Sequence, residues 1–242
     1  MGKHKGFTLI ELLVVIAIIA VLLAILMPGM RKVKEIAREI TCRSNMKSVG
    51  LAILMYLGDN ERKLADPRNA NRFLWYDSRG KVRTTSDNDA YWGIVYIDYL
   101  KNTKIFGCPS FQRVPDLIYN VDPAAIQHAA LGLSGYARGL DTTQIRPHSE
   151  FIIGHDHVEP RFEQDTRDMM FNNGPGTMNL TDYREGGRRS KYYRGIFRHN
   201  IRAHEPFRTG GRTNVLWLDG HVSPIEETTG DNVPKRWYTG ER

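Results

Sequence analysis

The chain has 242 residues, 41% hydrophobic and 25% charged, a composition that belongs to folded proteins rather than disordered ones. Its net charge of +7 and isoelectric point near 9.4 favour anionic partners or surfaces over acidic-patch binding to cations. Two cysteines, Cys42 and Cys108, exclude a disulfide-dense scaffold and allow at most one intrachain bond.

The first element is an apolar helix. Phe7 to Met27 is a run of 21 residues with one charge, Glu11, long enough at about 1.5 Å per residue to cross a hydrocarbon layer of about 30 Å. A cleaved secretory signal fits poorly, because the run is too long and "MPGMRKVKEIAREI" continues as helix without a small-residue cleavage site. A plain signal anchor is the stronger rival, but it gives Glu11 no role. A carboxylate at bilayer depth costs a few kcal/mol and usually marks function. Pro28 lacks an N–H and clashes with the carbonyl four residues earlier, which predicts a kink or melted turn there. Val33, Ile36, Ala37, Ile40, Val49, Ile53, Leu54 and Leu57 keep helical spacing, so the helix continues with an apolar stripe until Gly58 stops it. Farther along, "NDAYWGIVYIDYL" reads as a short helix and "SEFIIGHDH" as a buried strand entering a polar loop. Residues 161–195 are rich in Gly, Asn and Asp and read as a long surface loop. "TNVLWLDGHVSPI" alternates around Asp219-Gly220, the signature of a β-hairpin.

"KGFTLIELLVVIAIIAVLLAILMP" closely resembles the N-terminal signal of type IV pilins and type II secretion pseudopilins. The resemblance implies cleavage between Gly6 and Phe7 by a prepilin peptidase and N-methylation of Phe7. It also places Glu11 and Pro28 at positions used in filament assembly. A desolvated glutamate facing the terminal amine of a neighbouring subunit makes a pair that is strong when complete and costly when broken. A second resemblance runs through "CRSNMKSVGLAILMYLGDN", "FGCPS", "HSEFIIGHDH" and "RHN…TNVLWLDGHV". These blocks are similar to the H-x9-DG pilin-like group abundant in Planctomycetes, Verrucomicrobia and Lentisphaerae relatives. Here 19 residues, not nine, separate His199 from Asp219, and a ten-residue insertion, "IRAHEPFRTG", accounts for the difference. Any role tied to the nine-residue spacing is put in doubt by it.

The resemblance implies an α+β pilin-like fold: a long N-terminal helix, kinked near Pro28, with an antiparallel sheet packed on its second half. The implied divisions are a cleaved leader at 1–6, a transmembrane or filament-core segment at 7–30, an amphipathic continuation at 31–58 and a globular head at 59–242. It further implies a non-enzymatic structural subunit of a type IV pilus-like or secretion pseudopilus filament. Its partners would be the prepilin peptidase, other pilin or pseudopilin subunits and the inner-membrane assembly platform. The precursor would cross a bacterial inner membrane once, N-terminus cytoplasmic and head periplasmic, and the filament would lie in the periplasm or at the cell surface. In that oxidising setting Cys42, on the helix, and Cys108, in a loop, either staple helix to head or remain two buried thiols.

Three further readings compete with a purely structural subunit. The segment 184–212 carries nine Arg or Lys against two Glu, interleaved with aromatics; Arg188, Arg189, Lys191, Arg194 and Arg198 suit DNA or an anionic glycan at a filament tip, or acidic patches on a neighbouring subunit. His155, Asp156, His157 and Asp219, with His199 and His221, are candidate metal ligands, and Asp-rich turns permit a structural calcium ion. A membrane-anchored metal-dependent enzyme would need those ligands, but H-E-x-x-H, Cys/His zinc spacing, G-x-S-x-G and a Walker loop are all missing. No cofactor is therefore expected.

Overall fold

The computed structural model describes residues 8–66, 74–87, 90–111, 129–157, 195–202, 210–228, 230 and 232–241. Helix α1 spans Leu9–Asp59, 51 residues and so about 75 Å. Thr8 and Glu11 begin it as a reciprocal capping box: the Thr8 N–H and hydroxyl both donate to Glu11 Oε2 at 2.8 Å, and the Glu11 N–H donates to Thr8 Oγ1 at 3.3 Å. The helix runs unbroken through Pro28, so the turn expected to kink or melt there is not melted; one missing N–H is a small loss in a helix of this length. Gly58 is not the stop either. The helix passes through it to Asp59, Asn60 caps it, and Glu61 and Arg62 take the left-handed turn.

After α1 the chain wraps around its second half. A 3₁₀ turn at Trp92–Tyr96 leads into α2 (Ile97–Leu100), confirming the helical reading of this segment. Its rings pack together: Trp75 lies 4.9 Å from both Tyr91 and Phe106, and Trp92 lies 5.1 Å from Tyr91. The two polar ring groups are satisfied, because Tyr91 Oη and Trp92 Nε1 both donate to the Leu131 carbonyl at 2.8 and 2.9 Å.

Four strands form an antiparallel meander in the order β1 (Leu131–Leu133), β2 (Ile152–Asp156), β3 (Arg212–Trp217), β4 (Val222–Glu226). The buried strand read in "SEFIIGHDH" is β2, and the hairpin read around Asp219-Gly220 is β3–β4. One face of the sheet joins α1 in a core that includes Met46, Val49, Ile53, Ile153, Leu216 and Leu218. The other face packs Ile152, Val215 and Trp217 beneath Ile196, Phe197, Val233 and Tyr238, the last on α3 (Arg236–Thr239). The sheet is thus covered on both sides, which is why β2 is buried at every position instead of at alternate ones. This α+β arrangement, a long helix followed by an antiparallel sheet, is the pilin-like architecture.

The hairpin tip is fitted to the helix. A Cβ on Gly50 would sit 2.7 Å from Leu216 Cδ1 and 3.4 Å from the Gly220 backbone. Gly220 itself has φ +81, and a side chain there would meet Leu54 at 2.8 Å. Lys47 Nζ completes the seat by donating to the Gly220 carbonyl at 2.8 Å.

Candidate functional site

Two regions carry chemistry. The first is the bare half of α1. Its apolar window is long enough to cross a membrane and none of it is buried against the rest of the chain. Side chains from Leu9 to Met30 point outward all around the helix, as expected for a segment solvated by lipid or by other helices. Glu11 lies on this stretch as part of the cap described above, so within the single chain its carboxylate already has Thr8 as a partner. That partnership was legible in "TLIE", a Thr-x-x-Glu cap motif, but the apolar context drew attention to the charge alone. Pro28 is also exposed. Gly6 and Phe7 lie outside the described residues.

The second region is a buried charge node joining helix, sheet and the segment before β3. Asp156, at the end of β2, is wholly enclosed. Its Oδ1 accepts from Arg198 Nη2 at 2.7 Å. Its Oδ2 accepts from the Asn214 N–H at 2.8 Å, Asn214 Nδ2 at 3.0 Å and His199 Nε2 at 3.0 Å. Burial alone would push the Asp156 carboxyl up, but Arg198 and His199 beside it more than offset that and hold it well below the usual carboxylate range. Arg198 also donates to the carbonyls of Ala130 and His157 at 2.7 and 3.1 Å, and its guanidinium lies 4.9 Å from the centre of the Phe111 ring. His199 Nδ1 is buried with no hydrogen-bond partner among the described residues, so the imidazole proton belongs on Nε2, toward Asp156.

The node abuts a disulfide. Cys42 of α1 and Cys108 are bonded, with Cα atoms 5.1 Å apart, inside a small cluster with Phe111 and Ala130. Asn45 Nδ2 donates to the Gly107 carbonyl at 3.1 Å and holds the Cys108 loop to the helix. Cys108 Sγ lies 3.8 Å from His199 Nε2.

These contacts revise several sequence readings. Arg198 is no part of an exposed anion-binding face: its side chain is 1% exposed and its charge is spent on Asp156. Arg188, Arg189, Lys191 and Arg194 lie outside the described residues, as does nearly all of the 161–195 loop. In the "HDH" stretch the His155 and His157 rings lie side by side, centres 5.2 Å apart. His155 Nδ1 pairs with the Asp156 carbonyl at 2.9 Å, and the Asp156 carboxylate is filled by protein donors on both oxygens. Asp219 does not meet His199 at all; its Oδ1 accepts from the His221 backbone N–H at 3.0 Å and pairs with His221 Nδ1 at 2.6 Å, which fixes the hairpin tip. His221 in turn stacks on Trp217, ring centres 5.4 Å apart. The ten-residue insertion explains itself structurally. His199 and Arg212 exchange backbone hydrogen bonds of 3.1 and 2.8 Å, so the extra residues leave and re-enter the sheet through one closed pair. His199 therefore reaches Asp156 whatever the spacing to Asp219. The His199–Asp156 pairing, 43 positions apart in sequence, is the buried contact that motif reading missed.

Comparison with known proteins agrees with the N-terminal reading. Residues 1–27 match the prokaryotic N-terminal methylation motif. The chain is 35% identical over 59 residues to competence protein ComGC of Halalkalibacterium halodurans, a stretch that is 24% of this chain. The aligned stretch spans 58% of the length of that curated relative. No solved structure matches. The exposed apolar helix is long and apolar enough for a membrane anchor.

Proposed function

We propose that this chain is a structural prepilin subunit, not an enzyme. It is cut between Gly6 and Phe7, methylated on Phe7, and packed through α1 into a type IV pilus-like or type II secretion pseudopilus filament. The observation that carries this is the contrast along one continuous helix: its first half is apolar and bare, while its second half is seated in the head. A rigid rod of this kind passes force and position between a helical core and a surface domain. The precursor would lie in the inner membrane with its head in the periplasm. The head would belong near the H-x9-DG group that its blocks resemble, with 19 residues in place of nine between His199 and Asp219.

Glu11 supplies the selection step. In the lone chain it caps its own helix through Thr8. In the filament the carboxylate trades that cap for the methylated amine of the neighbouring subunit, a charge pair formed only in correct register. Mass spectrometry of the protein from cells should show a chain beginning at methyl-Phe7. Glu11→Ala should leave processing and membrane insertion intact while filaments disappear from sheared or periplasmic fractions. A chain still beginning at Met1, or filaments that persist in Glu11→Ala, would overturn the reading.

A further inference from the structure

Between the bare half of α1 and the head lies a short neck. Met30 ends the uncharged stretch, and Glu39 is the first buried residue of the helix. From Arg31 to Glu39 the axis rises about 12 Å. The neck sequence, "RKVKEIAR", sets four cations, Arg31, Lys32, Lys34 and Arg38, against one anion, Glu35. Arg38 Nη1 donates to Glu35 Oε1 at 2.8 Å, so those two charges answer each other. Arg31, Lys32 and Lys34 are exposed and make no ion pair among the described residues.

Their height along the helix is that of a lipid headgroup layer. Arg31 stands about 33 Å along the axis from Leu9, just past a hydrocarbon thickness of about 30 Å. The polar layer adds about 5–7 Å on each side of a bilayer, and the rise of about 4.5 Å from Arg31 to Lys34 fits within it. Helical phase puts all three cations on the head's side of α1. Lys32 precedes the buried Glu39 by seven residues, Arg31 precedes Cys42 by eleven, and Lys34 precedes Asn45, which bonds to the Gly107 carbonyl, by eleven. Val33, Ile36 and Ile40 take the opposite side and are exposed. Topology does not account for these charges, since Lys and Arg collect on the cytoplasmic side and the head is assigned to the other.

We infer that Arg31, Lys32 and Lys34 form a collar that binds the phosphates of anionic phospholipids in the leaflet facing the head. A Lys or Arg held near an anionic lipid surface contributes about fivefold in affinity, so three together contribute roughly a hundredfold. The collar also sets depth. Drawing the helix outward pulls the cations off the phosphates, and driving it inward carries them into hydrocarbon, where a charge is costly. The inference rests on the membrane placement of α1 given above, and on neither cleavage after Gly6 nor filament assembly.

The test uses the full chain carrying Met27→Trp, an exposed position one turn inside the collar, with the unsubstituted chain as background for its own tryptophans. Each is reconstituted in phosphatidylcholine vesicles that hold a minor fraction of either phosphatidylglycerol or phosphatidylcholine with brominated acyl chains. Quenching at position 27 then reports which lipid sits beside the collar. The expected result is a preference of at least tenfold for phosphatidylglycerol, weakened by salt. Arg31→Gln, Lys32→Gln and Lys34→Gln together should remove the preference and leave quenching by phosphatidylcholine unchanged; each alone should lower it about fivefold. All the substituted side chains are exposed, so the fold of the head is not at stake. Equal quenching by the two lipids, or a preference that survives the triple substitution, would overturn the inference while leaving α1 in the bilayer. No quenching by either lipid would overturn the membrane placement itself, and the inference with it.

Discussion

The two halves of α1 belong to one continuous helix and have opposite fates. In the first half Leu9 is 79% exposed and Val15, among its more sheltered residues, still 46%; in the second half Val49 and Ile53 are at 0%. Apolar content therefore does not decide which part of the helix is covered. Partners do: the second half offers small residues and a stripe that the hairpin and aromatic cluster can approach, while the first is apolar on every side and leaves its partners to come from a bilayer or other subunits. One half stabilises the fold, and the other is stabilised by assembly.

That comparison can be broken most forcefully at Asp156. Asp156→Ala strands Arg198 in the interior, and loss of one partner of a buried pair costs about 3–5 kcal/mol. Denaturant unfolding of the detergent-solubilised chain should show the head destabilised while the bare half keeps its helical signal. The same carboxylate sets a pH dependence. Its folded-state value is depressed, so its stabilisation is present above the unfolded value of about 3.9 and is lost as pH falls below that toward the folded value. Asp156→Asn should flatten the unfolding midpoint between about pH 4 and 2, and an unchanged slope would show that another group governs it.

The disulfide comes next. Closing 66 positions of chain is worth about 4 kcal/mol in the loop-entropy model. Reduction should lower the unfolding midpoint of the head by a corresponding amount, and Cys42→Ser should reproduce it.

The finest test uses two glycines of the same helix. Gly50→Val forces a side chain into Leu216 and the Gly220 backbone and should cost about 1–3 kcal/mol by overpacking, read in the same unfolding curves. Gly29→Ala meets nothing within 4 Å and should stiffen its turn by roughly 0.5–1 kcal/mol without moving the head transition. If both substitutions shifted the head equally, the division of the helix would fail.

Much of the architecture was readable because it rests on short-range patterns. The apolar run, the stripe from Ile36 to Leu57 and the Asp219-Gly220 tip each declare themselves within a dozen residues. Helix ends were less legible: Gly58 looked like a stop, yet the left-handed turn falls on Glu61 and Arg62, where the following chain bends back to pair with Asp141. The buried node was invisible for a different reason. Arg198 reads as one more charge in a basic run, and only its folded position beside Asp156, 42 residues earlier, makes it an interior residue. Likewise the second cover over the sheet depends on Ile196, Phe197 and Tyr238, which carry no periodic signal of their own.

The closed His199–Arg212 pair has a practical consequence. Since the backbone exits and returns at the same rung, the loop-entropy cost of a longer excursion is about 0.6 kcal/mol for each doubling. Foreign sequence inserted between His199 and Arg212 should accordingly leave the unfolding midpoint of the head nearly unchanged.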